Sequence, residues 1–297
     1  MNTFRSALTA LSAIVIAAGC GNNSSTGPGG NFTIIGDSAK MIGPNDGQLS
    51  RANGINDSGT VVGLYVDVTS TQYGWQVRNG FLSYLTASFP SSYATAPQSV
   101  NDSGHVTGFY SVSTAYHGFL YDGATWFTFD YPTATSTQAY GINASGEIVG
   151  AYFLNGSGNA HAFLKNGATF TTIDPPGATA AAALGINAAG DVVGEYVDGS
   201  GEHGYYWPHG ASSPTVLTIA GASGVIPYAI NDAGSIVGEC TVNGTTYGFL
   251  QKGGTVELIQ YPLAASTSAY GINDAGVVVG QYTNSSLLAF GFELATQ

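Results

Sequence analysis

One ten-residue pattern occurs six times in this chain of 297 residues, and it constrains the fold more than any other feature. The copies are GINDSGTVVG (54–63), SVNDSGHVTG (99–108), GINASGEIVG (141–150), GINAAGDVVG (185–194), AINDAGSIVG (229–238) and GINDAGVVVG (271–280). The spacing of forty-odd residues between copies predicts one supersecondary unit per repeat, with neighbouring units stacked on one another. We number these units repeats one to six.

Each repeat divides into four short apolar segments, which predict four β-strands. In repeat three these segments cover residues 139–143, 147–153, 160–165 and 169–174. Asn-Ala-Ser-Gly joins the first two segments and Lys-Asn-Gly joins the last two, and both connections are typical of tight hairpin turns. Only 8% of residues are charged, glycine and aromatic residues are frequent, and no segment has a sustained helical period. The sequence therefore predicts an all-β fold, a six-bladed β-propeller with four-stranded blades. A parallel β-solenoid is the rival fold.

The two ends of the repeat array indicate how the ring closes. The sixth repeat stops after its third segment, residues 288–294, whereas residues 31–35 resemble a fourth strand without a blade. We therefore expect the N-terminal strand to complete the last blade, which removes both open edges. A small residue starts each copy of the pattern, as expected where innermost strands converge. These residues are Gly54, Ser99, Gly141, Gly185, Ala229 and Gly271.

The first thirty residues have the composition of an export signal and a tether. Residues 1–19 carry one positive charge followed by an apolar stretch, which is the layout of a signal peptide. The segment ends in Ala-Ala-Gly before Cys20 and resembles the lipobox of bacterial lipoproteins, which implies a lipid on Cys20. Cleavage nearby, with Cys20 left as a free thiol, is the alternative. Residues 20–30 predict a flexible tether, and residues 31–297 predict a single propeller domain.

The third segment of each repeat carries a further resemblance. His161-Ala162-Phe163 and its variants, such as 117–119 and 203–205, follow the repeated pattern and are similar to the extracellular HAF repeats. The resemblance spans about 240 residues. It implies an exported bacterial β-repeat protein, and it implies no catalytic residues. With the lipobox, it implies an anchor at the cell envelope, at the outer membrane or cell surface.

Charge and cysteine content exclude several classes of partner. The net charge of −12 repels phosphate backbones, so we expect no nucleic acid partner. Contact with a membrane is expected through the lipid anchor alone, and a monomer is expected. Cys240 is the only other cysteine, and its apolar surroundings predict a small buried residue. No motif indicates a cofactor or a metal.

We interpret the repeated polar and aromatic residues as structural before we consider a functional role for them. His117, His161 and His203 occupy equivalent positions in separate repeats, which favours packed and hydrogen-bonded histidines over a shared metal ion. The tyrosines two residues after each pattern are expected to pack between blades, with a sugar-stacking ring as the alternative. These tyrosines are Tyr65, Tyr110, Tyr152, Tyr196 and Tyr282.

Repeat four departs furthest from the others in its polar content. Asp191 and Glu195 are four residues apart on one predicted strand, and His203 follows them. These three residues form a speculative polar cluster for acid–base chemistry or cation binding, and a solvated loop is the plainer interpretation. The sequence favours a non-catalytic binding or scaffold module whose ligand is a glycan or an envelope protein. A polysaccharide hydrolase or lyase and a purely structural envelope component are the alternatives.

Overall fold

The computed structural model of the chain describes residues 32–89, 91–92, 94–154 and 158–296. Within these ranges the chain forms twenty-five β-strands and no helix. The all-β prediction is therefore confirmed for the described part of the chain. These same ranges contain no helix of the length and apolarity needed to cross a bilayer. Residues 1–31, which hold the predicted signal peptide, Cys20 and the tether, lie outside the described residues.

The strands follow the repeats. Two short strands precede them, β1 (Thr33–Ile35) and β2 (Lys40–Met41). Repeat one contains β3 (Leu49–Ile55), β4 (Val61–Val66), β5 (Gln72–Arg78) and β6 (Phe81–Leu85). Repeat two contains β7 (Ala94–Val100), β8 (Val106–Val112), β9 (Ala115–Tyr121) and β10 (Trp126–Phe129). Repeat three contains β11 (Ala134–Ile142), β12 (Ile148–Leu154), β13 (Ala160–Asn166) and β14 (Thr169–Thr172).

The remaining repeats continue the same order, and the sixth has three strands. Repeat four contains β15 (Ala180–Ile186), β16 (Val192–Asp198), β17 (Gly201–Trp207) and β18 (Thr215–Val216). Repeat five contains β19 (Ser223–Ile230), β20 (Ile236–Val242), β21 (Thr245–Lys252) and β22 (Thr255–Ile259). Repeat six contains β23 (Ser266–Ile272), β24 (Val277–Thr283) and β25 (Ala289–Ala295). The four predicted segments of repeat three match its four strands.

Each repeat forms an antiparallel meander in which consecutive strands pair. Repeats two, three and four are separate four-stranded sheets. The strands of repeats one and six belong to one larger sheet, because β25 and β3 pair in parallel at Ala289 and Leu49. The first strands also contact one another in sequence around the molecule, and β23 contacts β3. We call the line that these six first strands surround the axis.

The repeated pattern forms the turn between the first and second strands and links each repeat to the next. In the fifth copy, the Oδ1 atom of Asn231 accepts a hydrogen bond from the backbone N–H of Ser235 at 2.8 Å. Its Nδ2 atom donates to the carbonyl oxygen of Asn273 in the next repeat at 3.0 Å. The glycine of the turn, Gly234, has a φ of +77°, which glycine adopts without strain.

The same side-chain bond from one turn asparagine to the next joins all six repeats. Its distances lie between 2.9 and 3.4 Å, and the bond from Asn273 returns to the carbonyl oxygen of Asn56 in repeat one. The six donors are Asn56, Asn101, Asn143, Asn187, Asn231 and Asn273. The asparagine is thus both a turn former, as predicted, and the connection between neighbouring repeats.

The small residue that starts each pattern is required by close packing of the first strands. A Cβ atom on Gly54 would lie 2.9 Å from the carbonyl oxygen of Gln98, and one on Gly271 would lie 3.0 Å from the Cα atom of Gly54. These distances are too short for ordinary van der Waals contact. The predicted convergence of the innermost strands is therefore confirmed at these positions.

The third strand of every repeat supplies one large ring to the core. Each of the six rings is fully buried between its own sheet and the neighbouring elements. They belong to Trp75, Phe119, Phe163, Tyr205, Phe249 and Phe292. The final glycine of each pattern faces this ring: a Cβ atom on Gly150 would lie 2.8 Å from the ring of Phe163 and 2.1 Å from the carbonyl oxygen of Gln138. The pattern therefore ends in glycine because no side chain fits there.

The prediction that residues 31–35 complete the last blade is wrong. Within residues 31–35, β1 pairs in parallel with β22 of repeat five, with Thr33 opposite Glu257. The strand beside β25 of repeat six is instead β2, with Lys40 opposite Glu293 and Met41 opposite Phe292. Ile35 packs against the buried cluster of repeats five and six, which holds β1 at the edge of β22. The similarity of residues 31–35 to a fourth strand could not reveal that the next short strand occupies that place.

Candidate functional site

Six side chains from six different repeats meet at the axis, and they belong to four residue types. Each lies three residues before a turn asparagine, immediately before the small residue that starts the pattern. They are Asn53, Gln98, Tyr140, Leu184, Tyr228 and Tyr270. The backbone positions are equivalent, yet the side chains include amides, phenols and one aliphatic group. We call the space that they surround the axial chamber.

The axial chamber connects two cavities along the axis. A cavity of about 110 Å³ extends from these six residues to the turn asparagines. A second cavity of about 50 Å³ lies on the other side and is lined by the same six residues and Arg51. Pockets for drug-sized ligands usually measure ~300–1,000 Å³. Both cavities are therefore sized for a small molecule or for one protruding group of a larger ligand.

Arg51 is the positive charge of the axial chamber. Its guanidinium carbon lies 4.8 Å from the centre of the Tyr270 ring, which is cation–π geometry. Its Nε atom donates a hydrogen bond to the Oδ1 atom of Asn53, and the Nδ2 atom of Asn53 donates to the carbonyl oxygen of Pro97. Asn53 and Arg51 thus connect repeats one, two and six, and Asn53 holds Arg51 at the chamber wall.

Glu239 of repeat five places a carboxylate beside the chamber. Its Oε2 atom accepts a hydrogen bond from the Oγ atom of Ser268 at 2.6 Å. Burial raises the pKa of this carboxyl group, and hydrogen bonds from Ser268 and Tyr228 and the charge of Arg51 lower it, with burial the larger effect. Its hydrogen bond with Tyr228 and its interaction with Arg51 place it next to two residues that line the chamber.

The three tyrosines of the chamber are held in the neutral state. Burial is the main cause that raises the pKa of Tyr140, Tyr228 and Tyr270, and the charges of nearby glutamates raise these pKa values further. The hydroxyl of Tyr140 donates to the Oε1 atom of Gln138 at 2.6 Å. The rings of Tyr228 and Tyr270 are 4.7 Å apart and tilted by 46°. The chamber therefore offers neutral hydroxyl groups and ring faces to a ligand.

The speculative polar cluster of repeat four does not form a single site. Asp191 lies in the turn, where it accepts hydrogen bonds from the hydroxyl of Tyr206 at 3.1 Å and from the backbone N–H of His209 at 2.9 Å. Glu195 lies on β16, fully buried, where its charge raises the pKa of Tyr140 and Tyr228 near the axis. The spacing of four residues places the two side chains in different surroundings, because Asp191 precedes the strand.

His203 lies at the opposite end of the repeat-four sheet from Asp191. It pairs with Tyr196 across β16 and β17, and its Nε2 atom lies 3.2 Å from Asp198 and 2.9 Å from the hydroxyl of Ser200. Hydrogen bonds from Ser200, and a smaller effect of His203, lower the pKa of Asp198 to about 2. Asp198, Ser200 and His203 thus form an ordered loop, as the plainer interpretation expects.

The equivalent histidines each have a local aspartate and a tyrosine ring. The Nδ1 atom of His161 lies 2.7 Å from Asp174, and its ring lies 5.2 Å from the ring of Tyr152. His117 makes the same pair of contacts with Asp130 and Tyr110. The interpretation of packed, hydrogen-bonded histidines is therefore confirmed, and these residues support the sheets of their own repeats.

The tyrosines that follow each pattern pack between repeats. Tyr152 stacks on Tyr131, with ring centres 3.6 Å apart and an angle of 1° between the planes. Tyr282 stacks on Tyr261 in the same way at 3.7 Å. In both pairs the partner lies in the connection from the preceding repeat, so the predicted packing role is confirmed there. Cys240 is also buried as predicted, and burial raises the pKa of its thiol to about 11.

Four aspartates that follow the turn asparagine connect the turns at one end of the axis. The Oδ1 atom of Asp274 accepts a hydrogen bond from the backbone N–H of Asp232 at 2.8 Å, and Asp57 accepts the equivalent bond from Asp274. Burial and the charges of the other three aspartates raise the pKa of Asp274. Across the described residues, no three His, Cys, Asp or Glu side chains are arranged to hold a metal ion.

Sequence reasoning singled out Glu195 as part of a polar cluster but missed the chamber position and Glu239, although their signal was present. The residue before the small residue of each pattern varies among repeats, and so does the residue after the final glycine, where Glu195 and Glu239 occur. Variation against an otherwise constant pattern marks these positions. Only the arrangement of the first strands around one axis shows that they share a space.

Comparison with known proteins supports the fold class. No protein-family model matches the chain, and no curated protein matches it. The structure resembles the Aleuria aurantia lectin AAL, solved in complex with Fucα1-6GlcNAc, with a TM-score of 0.54 and 14% identity over 84% of this chain and 93% of the lectin. It also resembles TolB from Acinetobacter baumannii, with a TM-score of 0.54 and 12% identity over 86% of this chain and 65% of TolB.

A mutant of AofleA from Arthrobotrys oligospora is similar to the same degree. Its TM-score is 0.54, and the two chains are 12% identical over 86% of each. The lectin and TolB are β-propeller proteins. The chain has a β-propeller architecture. At these identities the likeness concerns the fold alone.

Proposed function

We propose that this protein is an exported, lipid-anchored β-propeller that serves as a non-catalytic binding or scaffold module at the bacterial cell envelope. Its ligand is a glycan or an envelope protein. The protein is held at the outer membrane or cell surface by lipid on Cys20, and the HAF-repeat resemblance of the sequence supports the same location. The propeller neighbours include a fucose-binding lectin, which is consistent with a carbohydrate-binding or protein-binding role.

The proposal includes six blades in a closed ring. Its support is the set of six asparagine bonds, which returns from Asn273 to Asn56. The contact of β23 with β3 and the pairing of β2 with β25 also support a closed ring. A closed ring holds residues from all six blades at the axis without further ordering on binding, which favours a preorganised site.

The observation that carries the binding function is the contrast between constant and variable positions. The asparagines, glycines and third-strand rings repeat because they hold the blades together. The axial chamber is lined by six residues of four types, one asparagine, one glutamine, one leucine and three tyrosines. Because a purely structural axis needs only small or apolar side chains, the amides, phenols and Arg51 are best explained by a ligand. That ligand inserts one polar group, such as a hydroxymethyl group or a side chain, along the axis.

Ligand screening tests this proposal directly. The protein is applied to a glycan array and to envelope extract, beside Gln98→Leu and Tyr228→Leu variants that remove polar groups from the axial chamber. We expect both variants to lose at least about tenfold in affinity for the ligand found, since each removes a buried hydrogen-bonding group. Thr171→Ala, on the exposed strand β14, is the matched control. Equal binding by all four proteins would contradict the role of the chamber.

One observation favours the hydrolase alternative, namely the two carboxylates near the axis. Glu195 and Glu239 occupy equivalent positions in adjacent repeats, and both influence the pKa of Tyr228. The cavities of about 50 and 110 Å³ are small for a sugar chain, which favours binding over hydrolysis. Cleavage of a polysaccharide by the purified protein, lost in Glu239→Gln and in Glu195→Gln without loss of folding, would establish the enzyme instead.

The lipid anchor has its own test. Cells expressing the protein are labelled with a fatty-acid analogue, and the wild type is compared with Cys20→Ala. We expect label in the wild type alone. Equal label in both proteins would refute lipidation at Cys20 and would leave the binding experiment unaffected.

A further inference from the structure

Strand β6, the outermost strand of repeat one, presents apolar side chains to solvent. Phe81 is 78% exposed, Leu82 is 45% exposed and Tyr84 is 53% exposed. The strand ends its sheet, so one of its edges has no neighbouring strand among the described residues. It follows β5 through a tight turn at Asn79 and Gly80, both with positive φ, which fixes it firmly on the sheet. An apolar edge strand of this kind is a template for pairing with another strand.

The outer strands of the other repeats lack this combination. The edge of β22 in repeat five is covered by β1, which shows that an outer edge of this fold accepts an added strand. Strand β10 lies between Asp122 and Asp130, β14 consists mainly of threonine, and β18 has only two residues. Charged flanks and short length are common ways to keep an edge from pairing. Strand β10 also exposes one aromatic side chain, Phe127 at 49%, but Asp130 follows that strand directly. In the described part of the chain, β6 is uncovered, exposes three apolar side chains and has no acidic residue beside it.

The charge of the chain indicates what covers β6. The full chain carries a net charge of −12, so two copies repel each other over most of their surfaces. The stretch between Arg78 and Asp102 contains no charged side chain, and β6 lies within it. A second copy can therefore approach here with little repulsion. A cationic partner, in contrast, finds no opposite charge in this stretch.

We infer that β6 is a self-association surface, at which two copies of the chain pair their β6 strands in antiparallel orientation. A two-fold register centred on Ser83 places Leu82 opposite the Tyr84 of the second copy, and Phe81 opposite its Leu85. Aromatic and aliphatic pairs of this kind stabilise antiparallel strands. The pairing is isologous, so it closes at two copies and leaves no further edge. This dimer replaces the monomer expected from the sequence.

Disulfide trapping tests the register. In the antiparallel arrangement the two Ser83 side chains lie on the same face in neighbouring positions, within the reach of a disulfide. The full chain with Ser83→Cys is purified in non-ionic detergent and oxidised mildly, beside the wild type and Thr171→Cys on the exposed strand β14. All three proteins share Cys20 and Cys240. We expect covalent dimers from Ser83→Cys at several times the level of both controls.

A charged variant tests the surface without relying on the disulfide. Leu82→Lys places one positive charge on each chain of the dimer, and the two charges lie close together across the two-fold axis. We expect light scattering to show a dimer for the wild type and a monomer for Leu82→Lys, and circular dichroism to show that the variant is folded. Thr171→Lys should remain dimeric. Dimerisation that survives Leu82→Lys, or Ser83→Cys that crosslinks no more than Thr171→Cys, overturns the inference. Neither outcome depends on ligand binding at the axis.

Discussion

In each repeat, the chamber position on the first strand and the turn position three residues later differ in how much the residue varies among repeats. The turn position holds asparagine in all six repeats, whereas the chamber position holds asparagine, glutamine and leucine once each and tyrosine three times. Asn231 and Tyr228 illustrate the pair within repeat five. Both are buried, and both lie near the axis. Burial alone therefore does not explain why one position is constant and the other varies.

The difference lies in what each side chain contacts. Asn231 bonds to backbone atoms of its own turn and of the next repeat, and these atoms have the same arrangement in every repeat. A constant partner requires a constant side chain. Tyr228 contacts side chains such as Tyr270, which differ from repeat to repeat. A position whose partners vary can itself vary, and this freedom is where a binding site can arise.

The largest expected effect is at the turn position. Asn231→Leu leaves the buried backbone N–H of Ser235 without its acceptor and removes one of the two hydrogen bonds to the carbonyl oxygen of Asn273. We expect a loss of about 3 kcal/mol in the free energy of unfolding, measured by chemical denaturation. Asn45→Leu, at an exposed loop position without a positive φ, controls for the substitution itself. A loss below about 1 kcal/mol would end the argument that the asparagine bonds connect the repeats.

A smaller effect is expected from removal of the strand that covers β22. Deleting residues 32–35 uncovers the outer edge of repeat five and removes Ile35 from its buried cluster. We expect a loss of about 2 kcal/mol in the free energy of unfolding, because the deletion removes buried apolar surface. Thermal unfolding measures this loss. Deleting residues 21–30 should leave the unfolding midpoint unchanged. Equal effects of the two deletions would show that β1 adds nothing to the fold.

We expect a volume-conserving substitution at the chamber position to change the free energy of unfolding only slightly. Leu184→Met keeps the volume of an apolar side chain whose partners differ among repeats. We expect a change of about 1 kcal/mol or less in the free energy of unfolding. A loss as large as that of Asn231→Leu would remove the contrast between the two positions, and the same denaturation series measures both.

The smallest effect concerns pH. Because burial and three neighbouring aspartates raise the pKa of Asp274, its ionisation opposes folding as the pH rises above the ordinary value of 3.8. Asp274→Asn keeps an oxygen for the N–H of Asp232 and removes the charge. We expect this variant to be slightly more stable than the wild type at pH 7, and equally stable once the pH falls below 3.8. A stability difference between variant and wild type that grows as the pH falls would show that folding lowers the pKa of Asp274 instead of raising it.

Regular features of this fold followed from the sequence because they depend on local contacts. The four strands of repeat three, the turn at Asn143 and the small residue at Gly141 were all predicted from spacing and residue type. His161 beside Asp174 and the stacking of Tyr152 were predicted in kind, as packing contacts. Periodicity repeats a local environment six times, so the pattern in the sequence reflects the pattern in space.

The sequence by itself determined the all-β class, the strands of each repeat and the residues that must be small. It did not determine that β1 covers β22 while β2 lies beside β25, because both segments are short and either fits an edge. Nor did it bring Arg51, Tyr270 and Glu239 together, since these residues are far apart in the chain. Contacts within a repeat depend on neighbouring residues, whereas contacts at the axis depend on how all the repeats are arranged around it. Only the tertiary structure decides that arrangement.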